Sequence, residues 1–121
     1  MAFGDQIRDA REEIITDVDD YRKAVTIKLF NSVIDDTPVD TGRLRGNWQT
    51  NEGSAKKGEV DRNNGGEAKD EVVSVTEASK PDTVVHLTNN LPYSNRVEFG
   101  RTGGMMRKNL ARIQQILRGR K

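Results

Sequence analysis

No cysteine occurs among the 121 residues, which excludes a disulfide framework, thiolate chemistry and any cysteine-ligated zinc site. The same lack fits synthesis in a reducing cytoplasm. The single histidine, His86, leaves too little imidazole for a histidine-based zinc site or a histidine-paired nucleophile, and a place on the solvent side of a strand accounts for it economically. Nowhere is there the run of about 18 apolar residues that a membrane span needs, and Met1 to Asp20 has no apolar run of signal-peptide length. A soluble, non-secreted chain with no membrane partner is expected. A phosphate-cradling glycine loop with lysine, a dinucleotide fingerprint and a nucleophile elbow are all missing, so the chain reads as a non-enzyme without cofactor. Apolar residues are themselves scarce. Only 33% of the chain is hydrophobic against 32% charged, with a mean hydropathy of -0.80, so the area available to offset chain entropy is thin and partners are expected to supply the rest.

What is present is an uneven distribution of charge. Residues 1–40 carry 10 acidic and 5 basic side chains, residues 41–100 carry 9 and 8, and residues 101–121 carry 7 basic and no acidic ones. Such asymmetry suits a basic tail for nucleic acid, or a positive face of one subunit meeting the negative face of the next.

From Phe3 to Asp36 there is no proline, Gly4 is the only glycine, and Ile7, Ile14, Val18, Tyr21, Val25, Leu29 and Ser32 recur at helical spacing. One long helix is expected, its second half buried because Ala24, Val25, Ile27, Leu29, Phe30, Val33 and Ile34 are apolar nearly all round. Pro38 disfavours helical geometry at Thr37 and stops it. Leu44 to Thr50 reads as a short strand and 51–66 as a flexible loop. Residues 67–79 are ambiguous between strand and helix, with helix preferred on the stripe Ala68, Glu71, Val75 and Ala78. Thr83 to Thr88 reads as a strand, and Tyr93 to Phe99 as a short helix that Gly100 stops in a left-handed cap. Met106, Leu110, Ile113 and Leu117 form the stripe of an amphipathic helix over 105–118. The fold class is α+β in one domain, 1–121, with the long N-terminal and the amphipathic C-terminal helix packed on a small, mostly antiparallel sheet.

Two clusters carry most of the conformationally special residues. The corner Thr37-Pro38-Val39-Asp40-Thr41-Gly42-Arg43-Leu44-Arg45 combines a fixed backbone angle, side chains that bond neighbouring amides and a glycine that permits positive φ. It is primarily a structural turn, with Arg43 and Arg45 candidates for presentation to a neighbouring chain. The second, Asn89-Asn90-Leu91-Pro92-Tyr93 with Glu98-Phe99-Gly100, offers Tyr93 as a half-polar aromatic and Glu98 as a buried ion-pair partner for Arg43 or Arg45. Asp61 to Gly66 has the first six positions of a calcium-binding loop, but the twelfth is Val72 where a bidentate carboxylate is required, so a solvated turn is the reading and no metal is expected. On the C-terminal helix Arg107, Lys108, Arg112 and Arg118 could face DNA or a neighbouring subunit; aromatics for base stacking are absent there.

The ordered combination T-P-V-D-T-G-R-L-R-G-N-W at 37–48, G-E-V-D at 58–61 and L-T-N-N-L-P-Y-S-N-R-V-E-F-G at 87–100 resembles the neck or tail-completion proteins of lambda-like tailed bacteriophages, also described as minor tail or head-tail joining proteins. After Gly100 the chain departs from that pattern, because Arg101 to Met105 is shorter and lacks a proline. The resemblance implies a virion protein assembled in the host cytoplasm: a homo-oligomeric ring of six subunits at the joint of head and tail. Its implied partners are itself, the portal-side, neck, and tail-tube or tail-terminator proteins, and the DNA that passes through its channel. It also implies that Asp40, Thr41, Gly42, Arg43 and Arg45, supported by Trp48, Asn90, Pro92, Tyr93, Glu98 and Gly100, build the corner that meets other subunits. A rival from another class is a small nucleic-acid-binding module that uses the basic C-terminal helix.

Overall fold

A computed structural model of the chain describes residues 3–39, 42–100 and 104–118. The order of elements is α1 (Phe3–Asp35), α2 (Arg43–Gly46), β1 (Trp48–Glu52), α3 (Gly65–Ala78), β2 (Val85–Asn89), α4 (Ser94–Glu98) and α5 (Met105–Arg118). The fold is α+β, with a two-stranded antiparallel sheet. Among the described residues no helix is long and apolar enough to cross a membrane.

With no proline to interrupt it, α1 runs unbroken for 33 residues, roughly 50 Å at 1.5 Å per residue. Its last carbonyls need hydrogen-bond donors, as at any helix end. Arg45 supplies them, donating through Nε to the carbonyl of Thr37 and through Nη2 to that of Asp35, both at 2.6 Å. A guanidinium at this end also complements the negative pole of the helix. Val33 and Ile34 are fully buried, and Ile27, Leu29 and Phe30 pack at the edge of the core.

The strand expected from Leu44 begins only at Trp48. Residues 43–46 form a helical turn instead, entered through Gly42 at φ 79° and closed by Asn47, whose Nδ2 donates to the Arg43 carbonyl at 2.8 Å. β1 then pairs with β2 from Trp48 opposite Asn89 to Glu52 opposite Val85. The second strand starts two residues later than expected, because the Thr83 hydroxyl and the Lys80 amide both donate to Glu52 Oε2 in the turn that precedes it.

Residues 65–78 are helix rather than strand, opened by Asn64, whose side-chain oxygen accepts from the amide of Glu67 at 3.1 Å. Its buried face is Ala68, Val72 and Thr76, spaced i, i+4 and i+8, while Ala78 of the expected stripe is exposed. The 51–66 segment begins in β1 and ends in α3. Between them it is fastened at several points: Asn47 Oδ1 accepts from the Val60 amide, Gln49 Nε2 donates to the Gly58 carbonyl, and Arg62 donates to the carbonyls of Gly46 and Trp48.

The core consists of Val33, Ile34, Trp48, Ala68, Val72 and Met105. α5 enters it on a different face from the one its apolar stripe suggests. Met105 and Asn109 are buried, whereas Met106 and Ile113 are half-buried, Leu110 is 47% exposed, and the side chain of Leu117 lies outside the described set. The cause is polar. Asn109 Nδ2 donates to Asp36 Oδ2 at 2.9 Å and Arg112 Nη1 reaches the same oxygen at 2.6 Å, which turns this flank of α5 toward the end of α1.

Candidate functional site

The two clusters singled out in the sequence meet in space. Trp48 pairs with Asn89 across the sheet, and Asn89 Nδ2 donates to the Leu44 carbonyl at 2.8 Å. Asn90 Nδ2 donates to the carbonyls of Lys56 and Gly58 at 2.8 and 3.0 Å, which ties the 53–64 loop to the same region.

The indole explains the pairing of threonine and tryptophan at the ends of the corner. Trp48 is 4% exposed, and its Nε1–H donates to Thr37 Oγ1 at 2.8 Å while that hydroxyl donates onward to the Val33 carbonyl at 2.7 Å. A buried indole thus keeps a partner, and the start of the sheet is fixed to the end of α1. Gly42 is required twice over. Its φ is positive, and a Cβ there would lie 1.9 Å from the Asn63 carbonyl oxygen. Asp40 and Thr41 lie outside the described residues.

Several sequence expectations need correction. Arg45 is not presented outward but is held by the end of α1, and Arg43, at the surface, pairs with Glu59 at 2.7 Å. Neither meets Glu98. That carboxylate is buried at the start of α5, where Oε1 accepts from the Met106 amide at 2.8 Å and Oε2 from the Arg107 amide at 3.3 Å and its Nε at 2.9 Å. It serves as an acceptor cap for a helix seven residues downstream, at the pole where negative charge is favourable. Burial by itself raises the Glu98 pKa, but the two amides and the guanidinium outweigh it and hold the carboxyl below its ordinary value. Asp36 is governed the same way: burial raises it, and Asn109 with Arg112 lowers it further than that.

Gly100 does not have positive φ. What it provides is room, since a Cβ would come within 3.1 Å of the Arg96 carbonyl oxygen. Tyr93 is half-buried at the head of α4 and Pro92 is exposed in the turn before it. Of the four basic residues on α5, Arg107 pairs with Glu98 and lies 5.0 Å from the centre of the Phe99 ring, and Arg112 pairs with Asp36. Lys108 and Arg118 are exposed and have no ion-pair partner among the described residues.

The sequence reading missed Arg62 and Glu71. Glu71 Oε1 accepts from the Thr50 amide at 2.8 Å, and its Oε2 lies 3.4 Å from Arg62 Nη1, so the pair braces β1 against α3. It also missed the buried Asn47, whose position beside Trp48 was the available signal.

Among the described residues two apolar surfaces stand out as largely open to solvent. Every residue of α1 from Gln6 to Val18 is exposed, and Phe3, Ile7, Ile14 and Val18 are between 54% and 76% accessible, with Pro81 and Asp82 beside Ile14 and Val18. The other is a groove of about 240 Å³ lined by Leu29, Phe30, Val33, Val85, His86, Leu87, Met106 and Leu110. His86 is thus half-buried at an apolar wall rather than simply solvated.

Comparison of the chain with protein-family profiles, curated proteins and solved structures gives no match.

Proposed function

We propose that this chain is a structural subunit of a tailed-phage virion, a neck or tail-completion protein. It works by assembling into a ring that joins or completes the head-tail connection and leaves a channel for DNA. The observation that carries the reading is the free half of α1. A helix that exposes Phe3, Ile7, Ile14 and Val18 along one stripe, with only Pro81 and Asp82 of its own chain beside Ile14 and Val18, leaves an apolar face for another chain to cover. The kind of assembly comes from the resemblance, whose two strongest segments, 37–48 and 87–100, fold together as one unit through Trp48 and Asn89. An acidic N-terminal region and a basic C-terminal helix suit head-to-tail contact between identical copies, the arrangement that closes into rings.

The rival reading, nucleic-acid binding by α5, is weakened by the ion pairs that occupy Arg107 and Arg112. If it held, the purified chain would bind DNA with a steep salt dependence that vanishes on neutralising Arg107, Lys108 and Arg112. The neck reading is tested on particles assembled without the protein. Unjoined heads and tails, or filled heads that leak DNA, are the expected outcome under electron microscopy; intact and infectious virions would rule the role out.

A further inference from the structure

We infer that Asn64 and Gly65 form a site of slow self-modification, where the chain converts its own asparagine to isoaspartate and aspartate, and that the isoaspartyl product loosens α3 from the corner. This chemistry does not depend on the assembly proposed above. Asn64-Gly65 is the only asparagine-glycine pair in the sequence. Every other asparagine is followed by a residue whose Cβ crowds the amide nitrogen that would have to attack, and glycine has none.

The reaction needs only the backbone and solvent. The Gly65 amide nitrogen gives its proton to solvent base and forms a bond to Asn64 Cγ; the Cγ–Nδ2 bond breaks, and Nδ2 takes a proton and leaves as ammonia. A cyclic imide results. Water then opens it at either carbonyl. Addition at the side-chain carbonyl gives aspartate, whereas addition at the main-chain carbonyl gives isoaspartate, in which the chain runs through Cβ and Cγ and is longer by a methylene.

The fold exposes these atoms and also gates them. Asn64, Gly66 and Glu67 lie at the surface. As the first residue of α3, Gly65 has an amide with no acceptor inside the helix. The Glu67 amide donates to Asn64 Oδ1 at 3.1 Å, which withdraws electrons from Cγ in the sense that attack requires. The same bond holds Asn64 extended, at φ -145° and ψ 155°, with the Gly65 nitrogen out of line with Cγ, so the reaction waits on opening of the first turn. Gly65 and Gly66, poor helix formers both, make that turn the easy one to open.

The isoaspartyl product is destabilising because the chain is held on either side of it. Arg62 donates to the carbonyls of Gly46 and Trp48 at 2.7 and 2.9 Å, the Asn63 carbonyl lies against Gly42, and Gly65 rests on Ile34, where a Cβ would come within 3.2 Å of Cγ2. A methylene inserted between these anchors displaces one of them, and the cap on Glu67 goes with the lost side-chain amide. Aspartate keeps both the chain length and a capping oxygen.

Peptide mass spectrometry on the purified chain, aged at mildly alkaline pH, tests this. The exchange of NH2 for OH is expected on the peptide that holds Asn64 and on no other asparagine to a comparable extent, with isoaspartate told from aspartate by electron-transfer fragmentation. In guanidinium chloride, where cap and turn are gone, it is expected at least about ten-fold faster. N64S, which keeps a capping oxygen but has no amide to lose, should abolish it and leave the melting temperature within about 2 °C of wild type. The isoaspartyl form, separated by chromatography, should melt at least about 3 °C below the unaged chain, and N64D, which supplies the aspartyl product directly, should melt with the unaged chain. An Asn64 that stays intact in the folded chain after the unfolded chain has reacted, a change spread evenly over the asparagines, or an isoaspartyl form as stable as the unaged chain would overturn the inference.

Discussion

Replacing Glu98 by alanine removes two buried acceptors from the start of α5 and leaves the amides of Met106 and Arg107 without a partner. Loss of a helix-end acceptor costs about 0.5–2 kcal/mol, and a hydrogen bond to a charged group about 1.5–3 kcal/mol. The Arg107 side of the ion pair is 57% exposed and adds less than about 1 kcal/mol. These contributions overlap, so E98A is expected to cost about 2–3 kcal/mol and E98Q, which keeps one acceptor oxygen, about 1–2 kcal/mol. At about 4 °C per kcal/mol for a domain of this size, E98A would melt roughly 8–12 °C lower. Urea unfolding followed by the fluorescence of Trp48, the only tryptophan, measures both. The pH dependence is the sharper arm. Because the folded carboxyl titrates below its ordinary value of 4.5, its contribution is fully present above that pH and fades as pH falls through the folded value. The gap between wild type and E98Q should therefore be constant from neutral pH down to about 5 and narrow below it. A gap that persists undiminished at acid pH, or a loss under about 0.5 kcal/mol at pH 7 for E98A, would refute the capping role.

Other consequences follow from the corner. W48F keeps one aromatic ring but loses the pyrrole and its donor to Thr37, and is expected to cost about 1–3 kcal/mol by urea midpoint followed by circular dichroism, with T37V strongly non-additive in a double-mutant cycle. G42A meets both positive φ and the Asn63 carbonyl, so it should destabilise by more than the roughly 1–2 kcal/mol of the left-handed conformation alone; a cost under 1 kcal/mol would show that the corner relaxes freely. R45M strips the end of α1 of its donors and is expected to cost about 1–3 kcal/mol, whereas R43A, at a surface pair, should stay within about 0.5 kcal/mol of wild type.

Much of this architecture was legible in the chain. The length of α1 followed from the missing prolines, its end from Thr37-Pro38, and the importance of the corner from the density of special residues around Gly42. The positive φ of Gly42 was readable because few other residues tolerate it, but the same rule misled at Gly100, where space and not backbone angle is what glycine provides. What could not be read were partnerships between polar groups distant in sequence. Glu98 was visible as a buried carboxylate, yet which donors it meets depends on how α5 starts. The face of α5 was misjudged because apolar spacing stands out in a sequence, while the Asn109–Asp36 bond joins residues 73 apart and leaves no local trace. The stripe is in part used inside the subunit, through Met106 and Ile113, and among the described residues Leu110 is the one it leaves exposed.

The most direct measurement of assembly is a lysine cross-linking ladder, taken on the purified chain across concentration and on phage particles that contain it. A closed ring should give bands that rise and stop at a fixed number, six by resemblance, in multiples of the 13.6 kDa chain. Bands that never pass the monomer, in solution and on particles alike, would contradict the claim that this protein acts as a ring of identical copies.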